Sequence, residues 1–183
     1  MNDPVAAGII VGAMVLILLG AAWHKFSEPN AFLAALAGYR IAPDASLSML
    51  SRIIPGIEIA LAGALLLPVT RMWALRGAAI LMAAYAIAIA VNLLRGRSYI
   101  DCGCGGTAHP LSWGLVLRNI VLAAAALAVS GPTIDRGFDW LDGVALVMGV
   151  LAFYVTYLMA DELMRQASRM TRTRPHQETE LAP

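Results

Sequence analysis

The run Asp101-Cys102-Gly103-Cys104-Gly105-Gly106 holds the only two cysteines of the chain. Two cysteines separated by one residue have Cα atoms about 5.5–7 Å apart, from standard backbone dimensions. The lower part of that range meets the distance a disulfide needs. The intervening Gly103 permits the backbone angles that so small a ring demands. Such a bond closes almost no loop, so it adds little stability through chain entropy. A strained disulfide is also more oxidising, which suits exchange rather than stapling. If Cys102 and Cys104 pair, a redox role fits the bond better than a structural one. Arg95, Arg97 and His109 are near in sequence and would favour a thiolate. Two other readings stay open: a pair of free interfacial cysteines in a Gly-rich turn, or a metal site built from Cys102, Cys104, His109 and Asp101. The second is weak, because Cys-x-Cys with one His is not a usual structural zinc spacing, and no metal is expected. The glycines do not form a phosphate loop, since the Lys-Ser/Thr that must follow is absent.

A second group of residues is unusual by position. Glu58 and Arg118 each lie inside a long apolar run. Charges inside a membrane span are costly and mark pairing or function. Glu58 sits about 7.5 Å along a helix axis from the start of its run and Arg118 about 7.5 Å past Trp113, and both runs start on the cysteine side. The expectation is that Glu58 and Arg118 pair. His24 closes the first run on the same side, Asn92 lies near the end of the third, and Asn119 follows Arg118. His24, Glu58, Asn92, Arg118 and His109 would therefore form a polar cluster beneath the cysteine loop. The other half of the bundle would be almost wholly apolar. A clamp of interhelical hydrogen bonds would explain the cluster without chemistry; proton handling or a bound head group would use it.

The elements that must position these groups are apolar helices. Five runs qualify or nearly do: about 5–23, 53–67, 72–94, 111–129 and 143–163. A spanning helix needs about 20 mostly apolar residues. The four tryptophans, Trp23, Trp73, Trp113 and Trp140, fall at the ends of these runs, where an indole is half in lipid and half in water. Between the first two runs, Pro29 can open a short helix with Ser27 as its cap and Phe32, Leu33, Leu36 and Tyr39 as its apolar stripe. Gly38 and Pro43 would end it, and it would lie on the membrane surface. Gly8-x-x-x-Gly12 in the first run permits close helix contact, a weak signal in so Gly/Ala-rich a helix. Residues 1–164 thus read as one all-α, polytopic integral membrane bundle, and 165–183 as a polar tail fraying into disorder.

Composition agrees. Of 183 residues, 60% are hydrophobic and 14% charged, with a mean hydropathy of +0.72. Soluble domains run about 45–50% apolar and about 25% charged. Disorder of the whole chain and a disulfide-stapled scaffold are both excluded. A net charge of +1 offers nucleic acid no electrostatic attraction. Charge does bear on orientation. Arg71, Arg76 and Arg136 fall on the N-terminal side of the five spans; Lys25, Arg40, Arg52, Arg95, Arg97, Arg165, Arg169, Arg172 and Arg174 fall on the other. The positive-inside rule then puts the N-terminus outside and the cysteine loop in the cytoplasm. Without the four tail arginines the bias is slight.

The combination of His24-Lys25-Phe26, Pro29, Phe32, Leu36, Tyr39, Glu58, Asn92-Leu93-Leu94-Arg95-Gly96-Arg97, Asp101-Cys102-Gly103-Cys104, Ser112-Trp113 and Arg118-Asn119 resembles the MauE family of methylamine utilisation membrane proteins. The resemblance covers roughly residues 5 to 165. It implies a multi-pass protein of the cytoplasmic membrane, encoded with methylamine dehydrogenase. It further implies a need for the protein in processing, export or maturation of that enzyme's small (beta) subunit. That subunit is periplasmic, disulfide-rich and carries a tryptophan-derived quinone. A thioredoxin-like partner, MauD, is implied alongside.

Two functions then compete. In one, Cys102 and Cys104 are a redox pair that exchanges disulfides with MauD or the small subunit, with the polar cluster supporting the loop beside a quinone. The sequence itself fixes no cofactor. In the other, the bundle is a non-catalytic scaffold or export aid and the cysteines are incidental.

Overall fold

The computed structural model describes residues 2–103, 110–134 and 136–180, except for the side chains of 168–180. Six helices form: α1 (Pro4–Ser27), α2 (Pro29–Tyr39), α3 (Asp44–Leu66), α4 (Arg71–Leu94), α5 (Trp113–Ala128) and α6 (Trp140–Glu180). Among the described residues no strand forms, and the only ladder contacts are two isolated bridges, Asn2 with Thr133 and Asp101 with Pro110. The chain is an all-helical membrane bundle.

Local chemistry sets most helix ends. Asp3 caps α1: its Oδ1 accepts from the N–H groups of Val5 (2.8 Å) and Ala6 (3.3 Å), and Pro4 supplies a preset φ at the first position. At 24 residues, α1 is about 36 Å long, enough for a hydrocarbon core of about 30 Å. The α3–α4 turn closes on itself. Thr70 Oγ1 donates to Ala64 O (2.7 Å) and Arg71 Nε to Leu65 O (3.4 Å), satisfying carbonyls that the end of α3 leaves free. The short helix entered at Pro29 is present, but Glu28 rather than Ser27 precedes it, with no side-chain cap.

Two spans differ from the sequence expectation. The second begins at Asp44, not near 53, and runs through Pro55 without ending. Hydropathy misses its first turns because Ser46, Ser48, Ser51 and Arg52 are polar, yet a helix needs only its backbone bonds, and Asp44 complements the dipole of the first turn. The fourth, α5, has 16 residues, about 24 Å, and is short for a span. The other four long helices, α1, α3, α4 and the Trp140–Ala167 part of α6, are long and apolar enough to cross a bilayer.

Helix α1 is central. It packs against α3 and α6, and more lightly against α5 and α2, while α4 packs on α5 and α3. The apolar core divides in two. Ala7, Leu18, Leu65, Leu75, Ala126 and their neighbours fill the N-terminal end of the bundle. A smaller group at the other end joins Tyr39, Ile89, Ile100, Cys102, Leu111 and Leu115. Trp23, Trp73, Trp113 and Trp140 are all exposed on the protein surface, as side chains at a lipid–water boundary would be.

Helix α6 joins through small residues. A Cβ on Gly12 would stand 2.7 Å from Cγ2 of Val150, and Gly8 is covered by Leu146. In return, Ile9 fills the space over Gly149. The Gly8-x-x-x-Gly12 face is thus the seat of α6, a contact that lets two backbones approach closely.

Candidate functional site

The cysteine loop leaves α4 at Gly96, whose φ of +74° gives the helix a left-handed stop. Its N–H bonds Leu93 O and that of Arg97 bonds Asn92 O, both at 2.9 Å. The loop then turns inward: Ile100, Cys102 and Leu111 are buried. Leu111 N–H donates to Ile100 O at 3.2 Å, tying the two arms of the loop at its base. Gly103, at φ +66°, lies against α2, where an added Cβ would come 3.1 Å from Cβ of Ala35 and 3.3 Å from the Phe32 ring. The inner Gly of the motif is therefore required both by its backbone angle and by the close approach of the loop to α2.

Two bonds hold the motif. Tyr39 Oη donates to Cys102 O at 3.0 Å, and Asp101 Oδ1 accepts from Gly103 N–H at 3.3 Å. Burial first, and the Asp101 carboxylate second, raise the Tyr39 phenol above its ordinary value, so it remains a donor at any physiological pH. Cys102 is disulfide-bonded and 6% exposed. Cys104 and His109 lie outside the described residues.

Below the loop is a buried ion pair. Lys25, near the end of α1, donates to Glu58 Oε1 at 2.7 Å, and Tyr85 Oη of α4 donates to the same oxygen at 2.7 Å. Glu58 is 0% exposed and its Oε2 has no partner among the described residues. The Lys25 ammonium also lies 5.4 Å from the Phe32 ring centre and 5.5 Å from that of Tyr85, distances at which ring faces attract a cation.

The expected Glu58–Arg118 pair does not form. Arg118 bonds Asp161 of α6 and lies 5.3 Å from the Tyr157 ring. Glu58 lies about 21 Å along α3, which begins at Asp44, level with Lys25 near the end of α1. Arg118 and Glu58 still line one small cavity, together with Lys25, Asn119 and Tyr157, but each has a nearer partner of opposite charge.

The remaining expected members are placed as follows. Asn92 is buried; its Nδ2 donates to Ala88 O at 3.0 Å, and its Oδ1 has no partner among the described residues. His24 is half-buried and stands between two clefts. One holds Tyr154, Tyr157 and Asp161; the other holds Glu28, Asp101 and Gly103. Sequence reasoning missed Lys25, Tyr85 and Asp161 as partners. Lys25 carried a signal, being the only lysine beside twelve arginines.

The arrangement is a buried sulfur above a neutralised cation, in a chain of apolar helices. The family described as methylamine utilisation protein MauE matches residues 3–131, from the cap of α1 past the end of α5. The chain belongs to the MauE family. Its relatives include the MauE proteins of Paracoccus denitrificans (38% identical over 119 residues, 64% of each chain), Methylorubrum extorquens (36% over 151 residues, 81% of this chain and 76% of the relative) and Methylophilus methylotrophus (31% over 167 residues, 88% and 87%). The match thus spans just under two thirds of the Paracoccus denitrificans protein and more of the others. No solved structure matches the chain. As a member of MauE, the protein is a multi-pass membrane protein of the methylamine utilisation system. The cysteine loop, α2 and the Lys25–Glu58–Tyr85 group all lie within the matched segment, whereas α6 lies beyond it.

Proposed function

We propose that the protein serves in the cytoplasmic membrane as an accessory factor for processing, export or maturation of the methylamine dehydrogenase small subunit, and that it works by thiol–disulfide exchange through Cys102 and Cys104. The observation that carries the reading is the disulfide-bonded Cys102 at the inner end of a Gly-rich loop in a MauE chain. A disulfide-rich client needs an oxidant or isomerase, and an S–S bond between near neighbours in sequence is suited to exchange.

In the exchange, a client or MauD thiolate attacks one sulfur of the pair. The Cys102–Cys104 bond breaks and a mixed disulfide forms. A second client thiol resolves it, so the client gains one disulfide and the pair takes up two electrons and two protons. Burial of Cys102 keeps a protein thiol from reaching it, which leaves Cys104 as the sulfur for macromolecular partners. Tyr39 anchors the backbone of Cys102, so that the loop returns to one geometry after each turnover.

The test is the Cys102→Ser/Cys104→Ser double variant in a strain that depends on methylamine dehydrogenase. With membrane abundance unchanged, active dehydrogenase should fall at least tenfold. Full activity would remove the exchange mechanism and favour a scaffold with incidental cysteines.

A further inference from the structure

An apolar cavity of about 280 Å³ opens beside Cys102, between α2, α3 and α4. It is just below the usual range for ligand sites, about 300–1,000 Å³. Phe32, Leu47, Ile54 and Leu81 are typical of its wall, and Ile41 and Ala84 are exposed members of it. Its polar groups are few: Lys25, Tyr39, Tyr85 and the Cys102–Gly103 backbone. The flanks of α3 and α4 belong to spanning helices, so the cavity is accessible from the apolar phase of the membrane.

We propose that this cavity seats the ring of a lipid-soluble quinone, which reoxidises the Cys102–Cys104 pair. The assignment rests on the exchange reading above and supplies its missing electron acceptor. Three features select the ligand. The wall requires an apolar ring of modest size. The Lys25 ammonium has three N–H groups; two go to Glu58 Oε1 and, at 3.5 Å, to Ala21 O, leaving one for an acceptor. Tyr39 and Tyr85 already donate elsewhere. Finally, Glu58 neutralises Lys25 and keeps one bare carboxylate oxygen. A fatty-acid or phosphate head group would therefore meet no net positive charge, whereas a neutral carbonyl oxygen is well suited to the remaining N–H. The buried Cys102 is itself a lining residue of the same cavity.

The step balances without another reactant. The dithiol form of Cys102 and Cys104 loses two electrons and two protons and becomes the disulfide. The quinone gains them and becomes the quinol. The Lys25 N–H stabilises the negative charge that develops on the nearer quinone oxygen.

The experiment uses the full chain purified in detergent, with decylubiquinone and a short-chain menaquinone as probes. The reduced protein should convert one equivalent of quinone to quinol and lose its maleimide-reactive thiols in step. Binding is measured separately on the Cys102→Ser/Cys104→Ser variant, which can bind but not react. Ala84→Phe, at the mouth, should weaken binding there at least tenfold. Lys25→Met/Glu58→Leu, which removes the pair without orphaning a charge, should do the same. Absence of quinone binding to the serine variant, or binding indifferent to Ala84→Phe and to the loss of Lys25, overturns the quinone site. If dehydrogenase maturation still needs both cysteines in that case, the exchange reading survives with a different acceptor. Binding without thiol oxidation also overturns the proposed electron transfer.

Discussion

Lys25 and Glu58 are the pair on which the cysteine end of the bundle depends. Both are buried, and one hydrogen bond of 2.7 Å joins them. Removing one partner of such a pair costs about 3–5 kcal/mol because the other charge is left in an apolar interior, whereas replacing both is often tolerated. Glu58→Leu alone should therefore lower the amount of folded protein in membranes more than Lys25→Met/Glu58→Leu does. Thermal stability of the purified variants is the measurement, and additive losses would mean that the two residues do not interact. The sequence made Glu58 and Arg118 conspicuous, as charges in apolar runs. It did not reveal their partners, because both charges line one cavity and the choice among neighbours depends on which helix faces meet, which hydropathy does not report. Lys25 was counted as a charge outside the membrane. It follows directly on His24, past the apolar run, but α1 continues to Ser27 and carries it inward.

At the scale of elements, the apolar runs and the helix opened by Pro29 were legible, since each follows from residue type and length alone. Which helices touch was not. The contact of α1 with α6 depends on three glycines, Gly8, Gly12 and Gly149, whose missing side chains admit Leu146, Val150 and Ile9. Gly12→Leu should force Val150 aside and cost about 1–3 kcal/mol by overpacking. Gly63 offers a control, because nothing lies within 4 Å of its added Cβ, and Gly63→Leu should be nearly neutral. Equal loss of thermal stability in both would show that the effect is a general one of glycine replacement. The far end of α1 is tied by Arg136, which bonds Asp3 at 3.0 Å and Asp142 at 2.9 Å. The Arg136 guanidinium holds the Asp3 carboxyl below its ordinary value of 3.8. Since the folded value is depressed, this tie is complete above pH 3.8 and is lost as pH falls through the lower folded value. Acid titration from neutral to pH 4 should leave the tie intact, and Asp3→Asn should flatten only the region below that. Loss of the difference between the two proteins at pH 5 would contradict the assignment.

The whole molecule is polarised. One end is closed by the Asp3–Arg136–Asp142 ties over an apolar core, and the other gathers the sulfur, the buried Lys25–Glu58 pair and the cavity. This polarity was visible in the sequence as the clustering of polar residues toward one side of the spans. The cavity was not, since it arises where α2 folds back over α3 and α4. Orientation follows less simply. With Lys25 buried in a pair, the charges near the cysteine end are Arg40, Arg52, Arg95 and Arg97, against Arg71, Arg76 and Arg136 at the other. The bias toward a cytoplasmic loop thus rests on the four arginines of the tail, and a factor that oxidises a periplasmic client needs the loop on the periplasmic side. Thiol labelling in intact cells tests this most directly, using a membrane-impermeant maleimide before and after an impermeant reductant. The account predicts labelling, at Cys104, only after reduction, which is a disulfide on the periplasmic face. Labelling that needs no reductant, and appears only once the inner membrane is opened, would mean free cytoplasmic thiols and would contradict it.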